Sequence, residues 1–201
     1  MTVVSDSSPL IILTKLDCFG LLNRVFPRLY ISPEVHYEVV IAGAGLPGAS
    51  EVSKAEWIEV QALQNPAGLY SAQRKYGLGP GEMSTILLAK ELGANPVLLD
   101  DYRARNLAKA EGLEILGSVG LLETFYLRRY LTDLRSVFRQ LLTHNVYIDQ
   151  RLLDVVCDPW AFLLFKPGAA GAHPLRFCPM QRVGSRFNSI TTQTGAIRPQ
   201  R

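Results

Sequence analysis

Short apolar runs that stop abruptly at acidic residues alternate along this chain with helical patterns. The plainest is Pro96-Val97-Leu98-Leu99, which ends at Asp100-Asp101. A continuous apolar run of this length suits a strand buried on both faces. Thr2-Val3-Val4-Ser5 has the same form: it is β-branched and ends at Asp6, ahead of Ser8-Pro9, where serine caps and proline opens a helix. Leu29-Tyr30-Ile31 is followed in the same way by Ser32-Pro33. Trp57-Ile58-Glu59-Val60 alternates as an edge strand does, and Leu113-Glu114-Ile115-Leu116 supplies a last short strand.

Helical spacing fills the intervals. The first helical region is broken near Leu16-Asp17 and interrupted by Pro27; the second, carrying Val35, Val39 and Ala42, is ended by Gly43 and Gly45. A short helical piece lies near Glu51, a strong helix follows Gly79-Pro80-Gly81-Glu82 until Gly93, and another runs from about Tyr102 to Glu111. Ser118 to Arg128, Leu131 to Leu142 and Tyr147 to Val156 also read as helices, whereas Gln64 to Tyr76 reads as a polar, variable segment. Strands separated by helices are expected to be parallel with right-handed connections. The predicted fold is therefore α/β, a three-layer helix–sheet–helix sandwich with a mainly parallel sheet.

Size and composition set limits on this fold. The chain has 201 residues, 48% of them hydrophobic, enough to bury a core in one domain plus an appendage. No apolar run reaches the roughly 18 residues a membrane span needs, so no membrane partner is expected. The start, with neither a basic leader nor a cleavage pattern, reads as that of a cytoplasmic protein. From Asp158 the texture changes to proline, glycine, serine, threonine and arginine without periodicity, so a domain over residues 1–157 and a weakly structured tail over 158–201 are expected. The tail holds six of the 21 basic residues and one of the 18 acidic ones; the rest of the chain is net −2 although the whole is +3. Overall charge therefore gives no support to nucleic-acid binding by the folded part. Cys18, Cys157 and Cys178 share no metal-ligand spacing with each other or with His36, His144 and His173, and read as ordinary small hydrophobes.

The acids at strand ends are the candidates for chemistry. Asp6 and Asp100/Asp101 terminate two apolar strands at their carboxyl ends, where open parallel sheets bind ligands; in a strand order 3-2-1-4-5 they are neighbours. Each acid also has a plainer role open to it. Asp6 and Asp101 can cap helices, Glu82 can complement a helix dipole, and Glu38 can be solvated helix surface. Carboxylates brought close together repel and raise one another's pKa unless a cation compensates them. Magnesium or manganese suits such oxygen ligands and supports phosphodiester hydrolysis.

The stretches Val4-Ser5-Asp6-Ser7-Ser8-Pro9, Pro33-Glu34-Val35-His36-Tyr37-Glu38, Gly79-Pro80-Gly81-Glu82 and Leu98-Leu99-Asp100-Asp101-Tyr102-Arg103-Ala104-Arg105 together resemble the PIN-domain family, and more narrowly its VapC-like toxin nucleases. Leu116-Gly117-Ser118-Val119-Gly120 fits the same branch, so the resemblance covers about residues 1–156. It implies the strand order 3-2-1-4-5 and an acidic pocket that binds Mg2+ or Mn2+ and hydrolyses RNA. Carried over by motif, Asp6, Glu38, Glu82 and the Asp100-Asp101 pair are the catalytic acids, with Asp6, Glu82, Asp100 and Asp101 as metal ligands. Either member of the pair could coordinate. A glutamate at position 82 and an aspartate pair at 100–101 depart from the commoner PIN pattern. Arg105, Arg103 and Lys109 are candidate phosphate-binding residues; Arg105 and Lys109 share a helix face. The resemblance further implies a small antitoxin partner and a possible homodimer. The alternative is a catalytically weak PIN-like module that binds RNA or protein. A phosphatase is disfavoured, because Asp6 is followed by Ser7-Ser8 and no Asp-x-Asp arrangement is present there.

Overall fold

A computed structural model describes residues 1–143. Five short strands form one parallel sheet in the order β3-β2-β1-β4-β5: β1 Val4–Ser5, β2 Leu29–Ile31, β3 Ile58–Val60, β4 Val97–Leu98 and β5 Ile115–Leu116. β1 is central, with Val4 in register with Tyr30 on one side and Val97 on the other. The α/β sandwich and the strand order both agree with the sequence-based expectation.

Helices cover both faces. On one side lie α1 Ser7–Lys15, α2 Phe19–Val25, α3 Pro33–His36 and its π-helical continuation Tyr37–Ala42, α4 Ala49–Lys54, α8 Ser118–Leu127 and α9 Leu134–Thr143. Their core includes Leu10, Leu13, Leu22, Val35, Phe125 and Phe138, together with Val3 and Leu98 from the sheet. On the other side α5 Ala67–Tyr76, α6 Pro80–Leu92 and α7 Tyr102–Ala110 bury Leu69, Met83, Ile86 and Ala104 against Val4, Val97 and Leu99. Side chains alternate across a strand. Val3 and Val4 therefore enter opposite cores, as do Leu98 and Leu99, and this two-sided burial is why the runs before Asp6 and Asp100 are wholly apolar.

Two elements differ from expectation. Gln64 to Tyr76 is largely helix α5, although Leu69 is its one fully buried residue, so the segment shows little apolar period. The second helical region is four α-helical residues running into a π-helix. Asp17, with φ 54, separates α1 from α2 where a break was expected. The predicted helix Tyr147 to Val156 and the boundary at 157/158 lie outside the described residues.

Candidate active site

Because all strands are parallel, their carboxyl ends meet at one edge of the sheet, and the two central strands deliver Asp6 and Asp100 there. The Asp6 amide donates to Leu98 O at 3.0 Å, locking the end of β1 to that of β4. Asp6 occupies the N-cap position of α1, yet its side chain makes no capping hydrogen bond. It is 2% exposed, and its Oδ1 is buried with no hydrogen-bond partner. Capping therefore does not account for this carboxylate. Burial raises its pKa from 3.8 to about 7; the Ser7 amide pulls the other way, and the charges of Glu38, Glu82 and Asp100 push it further up. That electrostatic coupling brings four of the five predicted acids into one neighbourhood.

Glu38 arrives from the π-helix, an uncommon form often found at functional sites. Its helix is tied to α6 by the buried Ser32 Oγ···Ser84 Oγ contact of 2.7 Å. Ser84 Oγ also donates to Gly81 O, and Ser32 Oγ accepts from the Val35 amide. Ser84→Ala should remove the link between the helices and cost about 1–2 kcal/mol, measurable by denaturant unfolding. Gly81 leaves the room these acids occupy: a Cβ there would stand 2.8 Å from Glu38 Oε2 and 3.3 Å from Asp6 Oδ1. The two carboxylates thus border a gap no wider than a small side chain.

Glu82 opens α6 behind Gly79-Pro80, and its Oε2 accepts from the Gly79 amide at 2.6 Å, so one oxygen serves the helix terminus. Asp100 is held by α8: its Oδ1 accepts from the Ser118 amide at 2.7 Å and its Oδ2 from Ser118 Oγ at 2.5 Å. Burial raises its pKa, while the Ser118 hydrogen bonds and the Arg105 charge lower it. Asp101 is the N-cap of α7, accepting from the Ala104 amide at 2.8 Å. The adjacent aspartates therefore part company: Asp100 turns toward Asp6 and α8, and Asp101 serves its own helix.

Arg105 is half-buried beside Asp100, with Nη1 against Gly117. Arg103 Nη2 donates to Tyr76 O at 3.3 Å, near the end of α5. Lys109 is exposed one turn beyond Arg105 on α7. The roles of Ser118, Gly81 and the Ser32–Ser84 pair were not assigned from sequence, because each depends on a partner distant along the chain.

Among the described residues no three Asp, Glu, His or Cys side chains stand ready-made as a metal-ligand group. The donor set nevertheless fits a hard divalent ion. It is all oxygen, and the buried, unpartnered Asp6 Oδ1 is an acceptor lacking the donor or cation that buried polar atoms ordinarily have. Among the described residues, no helix is long and apolar enough to cross a membrane.

A protein-family model described as a PIN domain matches residues 2–160. No curated protein matches the chain.

Proposed function

Because the chain belongs to the PIN-domain family, whose members are generally nucleases, we propose that it is a divalent-metal-dependent ribonuclease acting through Asp6, Glu38, Glu82 and Asp100. The observation that carries this reading is Asp6: a buried carboxylate with an unpartnered oxygen, coupled to three further acids at the carboxyl edge of the sheet. Magnesium or manganese, held by Asp6, Glu82 and Asp100, would polarise a phosphoryl oxygen and lower the pKa of a coordinated water. Asp6 must shed its proton to take part, and Ser118 keeps Asp100 oriented toward it. Glu38, exposed on its helix, completes the negative rim. Arg105 and Lys109, both on α7, would meet RNA phosphates, while Asp101 stays with the helix cap. The VapC-like motifs support a cytoplasmic toxin restrained by a small antitoxin protein, with a homodimer as its assembly.

Purified full-length chain with Mn2+ or Mg2+ is expected to cut transfer RNA, and EDTA to stop it. Absence of cleavage with either ion would remove the enzymatic reading. The hydrogen bonds that occupy Glu82 Oε2 and both oxygens of Asp100 favour a second reading, a module that binds RNA without turnover. Retained RNA affinity with no cleavage across a metal titration would select it.

A further inference from the structure

Beside the acids the surface opens into a cleft of about 450 Å³ lined by Pro33, Glu34, Tyr37, Glu38, Pro80 and Gly81 among others. The volume lies in the range of roughly 300–1,000 Å³ typical of small-molecule sites. Glu38 and Gly81 also border the gap at Asp6, so cleft and acidic cluster share a wall.

Two of the lining residues are unexplained by the fold. Tyr37 is 62% exposed while Val35 and Val39 on the same helical segment are buried, so its ring is presented to the cleft rather than to the core. Glu34 Oε2 is buried and has no hydrogen-bond partner. A first-turn position accounts for a carboxylate here, but not for an oxygen shut away without a donor, which costs free energy. The terminal torsion of a glutamate is broad, so the plane of the carboxylate at the cleft wall can rotate to meet a donor.

An aromatic face beside a donor-seeking carboxylate is the chemistry that recognises an unstacked nucleobase, by stacking on the ring and by hydrogen bonds along the base edge. A carboxylate accepts through two oxygens side by side. Guanine alone among the four RNA bases offers two adjacent donors on its Watson–Crick edge, N1–H and the N2 amino group. Adenine and cytosine each set an amino group beside an acceptor nitrogen, and uracil sets one N–H between two carbonyls.

The geometry points to a guanine-binding pocket formed by Glu34 and Tyr37, adjoining the acidic cluster and selecting where RNA is cut. It rests on the ribonuclease reading, since the bound base is taken as a neighbour of the phosphate lying over Asp6. Stacking on Tyr37 and pairing with Glu34 would fix the chain's register over the acids, turning a sequence-blind cluster into one that prefers a position.

Titration of isotope-labelled full-length protein with guanosine, adenosine, cytidine or uridine, followed by NMR at the Tyr37 and Gly81 amides, tests this without metal or turnover. Guanosine is expected to bind roughly tenfold to a hundredfold more tightly than the other three. Glu34→Gln, nearly unchanged in size, should erase that preference, because an amide's one acceptor and one donor match the amino group and ring nitrogen of adenine and of cytosine alike. Tyr37→Ala should weaken every nucleoside by roughly fivefold or more through lost stacking. Equal affinities, no binding at all, or a guanosine preference that survives Glu34→Gln would overturn the pocket. Failure of metal-loaded protein to cut any RNA would instead strike the ribonuclease reading, and the two failures are scored separately.

Discussion

Asp6→Asn should abolish RNA cleavage and, at the same time, make the metal-free protein more stable above neutral pH. The loss of activity follows from removing the central carboxylate; several kcal/mol of transition-state stabilisation correspond to a fall of about three orders of magnitude or more. The gain in stability follows from linkage. Burial and the neighbouring acids lift the folded-state pKa of Asp6 to about 7 from an ordinary 3.8, so the native state holds its proton longer than the unfolded chain does. For a raised carboxylate, stability is undiminished at low pH, falls as pH climbs from about 4 to about 7, and then levels off. A shift of this size corresponds to a ceiling of roughly 4 kcal/mol. Asp100, also raised, adds a slope of the same sign that remains in the variant. Thermal melts of metal-free wild type and Asp6→Asn between pH 4 and 8 should therefore diverge progressively, the variant on top. Adding Mn2+ at pH 8 should lift wild type toward the variant and leave the variant where it is. Parallel melts across that range would show that Asp6 is not the buried, electrostatically burdened group described here.

Gly81→Ala is the complementary case, in which activity goes and stability stays. The new methyl would fall 2.8 Å from Glu38 Oε2 and 3.3 Å from Asp6 Oδ1, so one carboxylate must move. Glu38 is exposed and its carboxylate is the far end of a flexible side chain, whereas Asp6 is enclosed. Glu38 therefore yields at little cost, and replacing a helical glycine by alanine offsets that cost by up to about 1 kcal/mol. Displacement by about an ångström at a reacting centre is worth about a hundredfold in rate. Cleavage should drop by about that factor with a melting temperature unchanged or slightly raised. Full activity in Gly81→Ala would mean that Glu38 does not work beside Asp6.

What could be read along the chain was what local chemistry dictates. Val3-Val4 and Leu98-Leu99 announce strands flanked by two cores because each alternate residue had to be apolar, and Asp6 and Asp100 stand out because they end those runs. Helix α5 stayed hidden because it rests on the surface through Leu69 with little else buried. The π-helix that carries Glu38 left no mark either, since a shift of backbone hydrogen bonds from one carbonyl to the next requires no particular side chain. Local pattern also could not divide the work between Asp100 and Asp101. That division is made by Ser118, which claims the first, and by the Ala104 amide, which claims the second. The Glu34 and Tyr37 cleft was equally silent, because its other wall comes from Pro80 and Gly81.

The central place of β1 has a consequence for how the molecule is born. Val4 finds its first neighbour at Tyr30 but its second only at Val97. At synthesis rates of roughly 5–20 residues per second, the opening strand waits about 5 to 20 s with one edge bare. Pairings this distant along the chain also slow folding once the sequence is available. During that interval Asp6 is an ordinary carboxylate in water, since the strand and acid that enclose it have not yet been made. Whatever this edge of the sheet does to nucleic acid, the nascent chain does not do it; the capability arrives late, with the second half of the sheet.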